Sequence, residues 1–186
     1  GEDPYLVSRF AVAVVRGLQG SGPRIDDEHI AATVKHFAAY GEPLGGINKA
    51  PPPGGKRRLR EVYLPSFRAA VIEAGAMSVM ASYNEIDGIP SHANEWLLTD
   101  LLRGEWGFEG YVISDASGIE DLVLQHRVAG SMSDAGRLAL LAGVDLELAN
   151  PRCFRALEEL VRSGRVPLSA LDQTVRRVLR GKFLLG

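Results

Sequence analysis

The feature that most constrains this chain is an alternation. Apolar runs near residues 32–36, 78–82 ("SVMAS"), 111–114 ("YVIS") and 144–148 are separated by stretches whose apolar residues recur at helical spacing. Strands that read as continuous apolar runs are buried on both faces, as parallel strands are when helices cover them. Spacings of thirty residues or more leave room for a crossover helix between each pair. The fold class is therefore α/β, with about four β/α units visible. A complete eight-unit barrel takes about 250 residues, so these four would be half of one. Periodicity alone does not choose between such a barrel and an open doubly wound sheet.

The helical stretches carry their own punctuation. Asp3 is placed to cap a helix that has Pro4 at its first position, Leu6, Phe10, Val14 and Leu18 at helical spacing, and Gly20 at its end. Residues 57–75 read as helix with a kink or break at Pro65. Residues 93–107 and 133–143 supply the next helices, and the tail splits at Gly164 and Pro167 into segments near 151–163 and 168–184. Between the first strand and the second helix lies "YGEPLGGINKAPPPGGK", too rich in Gly and Pro for helix or central strand, and long loops of this kind are often functional.

Several chemistries lose support. No G-x-G-x-x-G, phosphate-loop or G-x-S-x-G pattern occurs. A net charge of -2, with basic residues scattered rather than striped, argues against nucleic-acid and membrane partners. Cys153 is the sole cysteine, which excludes an internal disulfide. The first twenty residues lack the order of a signal peptide, and a chain that opens directly on a helix cap looks cut from something longer; the compartment stays open.

Barrel chemistry gathers at the C-terminal ends of strands. Those ends hold Lys35 and His36, Met80 and Tyr83, Ser114 and Asp115, and Asp145 and Glu147. A cation, an imidazole, a phenol and carboxylates suit a polyhydroxylated ligand. Each also has a plainer reading. Lys35 can be half of a structural ion pair and His36 a core histidine, and strand alternation would turn the two to opposite faces unless the strand has ended there. Tyr83 can be a turn tyrosine beside the Asp87-Gly88 turn. Asp115 can cap a helix starting near Ser117. Glu147 can be salt-bridged, Asp145 reads as structural, and His92 and His126, in loop or helix-end contexts, read as structural too. His29 reads as exposed, Trp96 and Trp106 as core aromatics, and Cys153 as a buried apolar residue.

Taken together, "GEDPYLVSRFAVAVVRGLQG", "VKHFAAYG", "LREVYLPSFRAAV", "SVMASYNEIDGIPSHANEWLLTDLLRGEWGFEGYVISD" and "AGVDLEL" resemble glycoside hydrolase family 3, the β-glucosidase and β-xylosidase type, over almost the whole chain. The resemblance implies the later part of an N-terminal (β/α)8 TIM-like barrel domain spanning 1–186, with the first barrel strands and a following sandwich domain outside this segment. It implies a retaining β-glycosidase acting on terminal β-linked glucose or xylose with no metal or organic cofactor. By the same resemblance Asp115 is the nucleophile, Lys35 and His36 hydrogen-bond sugar hydroxyls, Met80 is a pocket wall and Tyr83 stands near the nucleophile.

The pattern also departs from the family. Ala116 follows the nucleophile where many members have an aromatic residue, and "KHFAAYG" lacks the Pro-Gly-His continuation of the N-acetylhexosaminidase branch. No residue matches the family's acid/base, which is expected outside this chain; Glu85 and Glu147 are the available carboxylates. Two competing readings follow: a non-catalytic sugar-binding partial barrel, and a Schiff-base lyase using Lys35. A half-barrel also invites a second copy or chain to complete it.

Overall fold

The computed structural model describes residues 2–20, 22 and 24–186. Its sheet is parallel, in the order β1 (Thr33–Phe37), β2 (Ser78–Ala81), β5 (Tyr111–Ile113), each strand beside the next in sequence. Thr33 and Val34 pair with Ser78 and Val79, and Ser78, Val79 and Met80 pair with Tyr111, Val112 and Ile113. After Val34 the register of β1 slips, so that Phe37 meets Ala81. The Lys35–His36 and Phe37–Ala38 peptide bonds are cis.

The fourth expected strand, 144–148, is reduced to a single parallel bridge between Ile113 and Leu146. A long-range contact stands in its place: the Asp145 carboxylate itself accepts the Val112 N–H at 2.8 Å, so a side chain takes the ladder position that a backbone carbonyl would fill. Sequence reading also omits a small antiparallel hairpin, β3 (Glu85–Ile86) with β4 (Ile89–Pro90). Its turn is the expected Asp87-Gly88, both at positive φ as a two-residue hairpin requires.

Crossovers between the strands are helical. α1 (Pro4–Gln19) is capped as expected, Asp3 Oδ1 accepting the Tyr5 and Leu6 N–H groups, and ends at Gly20 with φ 73°. Its Leu6, Phe10, Val14 and Leu18 stripe, however, is 38–63% exposed. The buried face is Ser8, Val12 and Val15, and the side chain of Gln19 accepts the N–H groups of Ala32 and Met77 where β1 and β2 begin. Residues 56–72 form one helical run: α2 (Lys56–Arg58), a π-helical turn (Leu59–Tyr63) and α3 (Leu64–Ile72). Pro65, which has no N–H to give the preceding turn, sits where the π turn hands over to α3.

A π-helix, Trp96–Glu105, leads into β5; α4 (Asp121–Leu124), α5 (Met132–Ala142), α6 (Leu157–Arg162) and α7 (Leu168–Leu185) follow. The core between sheet and helices holds Phe37, Val79, Val112, Leu97, Leu98, Leu101, Leu102, Ile119 and Leu122, all fully buried. Trp106 meets Phe37 edge-on at 5.8 Å, while Trp96 is half-buried with Lys56 Nζ 4.5 Å from its ring centre. Asp145, as expected, is structural: Arg103 (2.6 Å) and Arg177 of α7 (3.0 Å) flank its buried carboxylate. No helix among the described residues is long and apolar enough to cross a membrane.

Candidate active site

The site begins where β5 ends. Ser114, fully buried, donates its N–H to Leu146 O and accepts the Leu148 N–H on Oγ, which fastens the strand end to residues 146–148. Asp115 comes next, 8% exposed. It does not cap a helix. Ser117 takes a left-handed φ of 58°, and α4 starts only at Asp121, so no helical N–H groups are aligned on the carboxylate.

The two oxygens of Asp115 are unlike. Oδ1 accepts the Ala116 N–H at 2.7 Å. Oδ2 is buried with no well-formed hydrogen bond among the described residues; His36 Nε2 lies 3.3 Å away, and the Tyr83 hydroxyl is close enough to Asp115 for the carboxylate to raise its pKa. A buried carboxylate oxygen without a full donor is costly to hold as an anion, which keeps it available as an acceptor. The Asp115 N–H is itself taken, donated to His92 Nε2 at 3.1 Å.

His36 is half-buried. Burial pulls its pKa below the usual histidine value and Lys35 adds to this, against the opposing pull of Asp115, so the imidazole is neutral at neutral pH. Its ring sits 4.9 Å from that of Tyr40. Lys35 is exposed and makes no ion pair within 4 Å among the described residues, so the structural-pair reading finds no partner. Both residues line one cavity of about 860 Å³, with Tyr40, Glu42, Arg58 and Tyr63. The strict alternation expected of a strand gives way where the register of β1 slips, between Val34 and Phe37.

Tyr83 donates its hydroxyl to Ala116 O at 2.8 Å. Burial first, then the neighbouring Asp115, raise its pKa, so it stays protonated. Its backbone carbonyl is held by His126 Nε2 at 2.9 Å. Met80 is buried on β2 beside Ile113 and lies outside the cavity that Lys35 and His36 line. The structure thus brings His36, Tyr83 and Asp115 together, while the cavity that Lys35 and His36 line includes none of Tyr83, Met80 and Asp115.

Three residues join them that sequence reading passes over or sets aside as structural. Lys49, from the Gly- and Pro-rich loop, lies 4.2 Å from the Tyr83 ring centre and 2.7 Å from Asp121 Oδ2. The third is His92. A lone lysine among glycines and prolines carries no periodic signal, and its long loop was the only clue. Of the two other candidate carboxylates, Glu147 accepts the N–H groups of Cys153 and Phe154, while Glu85 is half-buried and makes no side-chain hydrogen bond among the described residues, 4.0 Å from His126 Nδ1. Cys153 is buried, its thiol pushed up to about 12 by that burial. A second cavity, about 710 Å³, lies at the opposite ends of the strands beside Met77 and Gly110, away from Asp115. No group of three or more His, Cys, Asp or Glu suited to a metal ion occurs among the described residues.

The family model of the glycosyl hydrolase family 3 N terminal domain matches residues 1–181. A β-xylosidase of Formosa agariphila is 42% identical over 194 residues, covering 100% of this chain and 27% of that protein. Among solved structures, a β-glucosidase from Erythrobacter marinus superposes with a TM-score of 0.96 at 46% identity, covering 98% of this chain and 24% of its own. A β-glucosidase from Listeria innocua in complex with glucose gives 0.95 at 38% identity, covering 100% and 26%. The chain therefore spans about a quarter of the length of these relatives.

Proposed function

Because the chain belongs to glycosyl hydrolase family 3, we propose that it is the part of a retaining β-glycosidase that carries the nucleophile, Asp115. The observation behind this is the asymmetry of its carboxylate, one oxygen held by Ala116 and the other bare and buried. In the first step Oδ2 attacks the anomeric carbon as the glycosidic bond breaks, and an acid outside this chain protonates the departing oxygen. Water, deprotonated by the same group, then attacks the anomeric carbon, and Asp115 leaves as carboxylate.

The surrounding residues fit those steps. A neutral His36 leaves the negative charge of Asp115 uncompensated, which favours the positive character that develops on the sugar ring. Lys35 and His36 line one cavity, and His36 also stands 3.3 Å from Asp115 Oδ2, so both can donate to hydroxyls of a sugar seated between them. Tyr83, protonated, pins Ala116 and so holds the loop just after the nucleophile. The ligand class is a terminal β-D-glucosyl or β-D-xylosyl unit, in keeping with one relative named a β-xylosidase and another solved with glucose.

The three parallel strands and the bridge at Leu146 are read as one side of a (β/α)8 barrel, and residues 1–186 as part of its domain, with β1 an open edge that further strands would cover. A non-catalytic sugar-binding partial barrel is the second reading, favoured by the engagement of Glu147 with the Cys153 and Phe154 N–H groups. Treating the full-length protein with a 2-deoxy-2-fluoro β-glycoside and mapping the adduct by mass spectrometry separates them. A fluoroglycosyl ester on Asp115 supports the proposal; a label elsewhere, or none, overturns it.

A further inference from the structure

We infer that His92 is a positioning residue for Asp115: by accepting the Asp115 backbone N–H it sets the direction in which the carboxylate leaves the strand. This rests on reading Asp115 as the nucleophile. His92 is 1% exposed, in the short 3-10 turn Ser91–Ala93 after β4, and cannot itself touch a sugar. Its ring nitrogen accepts from the main chain of a residue 23 positions away.

The ring is held on every side. Nε2 accepts from Asp115, so the proton of the neutral ring sits on Nδ1, and the Ser82 backbone favours a protonated nitrogen on the ring. Gly118, three residues past the nucleophile, lies against the imidazole: a Cβ built there would meet Cε1 at 2.3 Å and Nε2 at 2.4 Å. No larger residue fits without displacing the ring. The turn that carries His92 is tied down in turn, the Ser91 N–H and hydroxyl both donating to Asn84 O.

The arrangement explains why a neutral imidazole is needed. A protonated one would present a donor to a donor, and the Asp115 N–H would lose its partner in a dry site. The groups facing His92 are Asp115, which favours protonation, and Lys49 and His126, which oppose it, with the Tyr83 ring 6.5 Å away. Burial outweighs all of them and brings the pKa down to about 4. Freed from this anchor, the nucleophile's backbone shifts, and a displacement of about 1 Å at a reacting group costs roughly 100-fold in rate.

The test uses the full-length enzyme and a dinitrophenyl 2-deoxy-2-fluoro β-glycoside, whose leaving group needs no acid, so that the trapping rate reports on the nucleophile alone. His92→Leu is expected to slow trapping about 100-fold while leaving the affinity for the competing monosaccharide within about threefold. His92→Gln, whose Oε1 can replace Nε2 as acceptor, recovers most of the rate, and His92→Asn, too short to reach, does not. Gly118→Ala, which keeps the imidazole but pushes it aside, behaves like His92→Leu. Trapping at the wild-type rate in a folded His92→Leu protein overturns the inference. Should that variant not fold, equal rates for the Gln and Asn variants overturn it instead. Asp115→Asn is the control: persistent labelling there would mean that the nucleophile assignment, not the role of His92, has failed.

Discussion

Lys49 Nζ lies 2.7 Å from Asp121 Oδ2, and this ion pair fastens the loop after the first strand to the segment after the nucleophile, directly over the ring of Tyr83. Both partners are largely shielded, with side-chain exposures of 27% and 12%. The pair therefore lies between a surface salt bridge of ~0.5 kcal/mol and a buried one, whose rupture costs ~3 kcal/mol or more.

Lys49→Met should accordingly destabilise the full-length protein by about 1–3 kcal/mol in denaturant melts, because it leaves Asp121 unpaired, whereas the double variant with Asp121→Asn should recover part of that loss. KM for an aryl β-glycoside should rise more than kcat falls, since Lys49 contacts Tyr83 and Asp121 rather than the Asp115 carboxylate. A double variant no better than Lys49→Met would show that the pair is not coupled.

Asp115→Asn should abolish hydrolysis by several orders of magnitude yet melt at or above the wild-type temperature. The reason is the bare Oδ2: removing a buried, unpartnered anionic oxygen relieves a desolvation cost. A large drop in melting temperature would mean that Asp115 is held by contacts worth more than its burial costs.

Lys35→Ala should reduce catalysis with little change in stability, because Lys35 is exposed and has no ionic partner among the described residues. Parallel loss of activity and stability would restore the structural reading.

His92 sets an acid limit. Its folded pKa, about 4, is below the 6.5 of a free histidine, so on acidification the unfolded chain binds the proton first. The stabilisation from a neutral His92 is whole above about pH 6.5 and is lost as the pH falls towards 4, on the order of 3 kcal/mol in all. His92→Gln should flatten this part of the stability profile. Parallel profiles for wild type and variant between pH 7 and 4 would count against it.

Residues 1–186 expressed alone should associate and should not hydrolyse aryl glucosides or xylosides. Phe10 of α1 and Phe183 of α7 are 63% and 77% exposed, and β1 has an unpaired edge. Light scattering with size-exclusion chromatography decides; a cooperatively melting monomer would show that this surface needs no cover.

Local chemistry explains what was legible in the chain before folding. The strands expected near 32–36, 78–82 and 111–114 form at Thr33–Phe37, Ser78–Ala81 and Tyr111–Ile113, although β1 alternates in burial instead of being buried on both faces; these, the Asp3 cap, Gly20 and the Asp87-Gly88 turn each depend on a few adjacent residues. So does the position of Asp115 at a strand end. Contacts across dozens of residues were not legible. Nothing adjacent to Asp145 reveals that its carboxylate would replace a backbone acceptor and shorten the fourth strand to one bridge. The stripe on α1 has helical period, but which face is buried depends on what α3 and the strands offer it. Lys49 and His92 meet the site only because a loop and a turn far from Asp115 in sequence fold back on it. Periodicity records a residue's neighbours along the chain, whereas a hydrogen bond depends on distance in space, and only the packed fold brings the His92 imidazole to the Asp115 N–H.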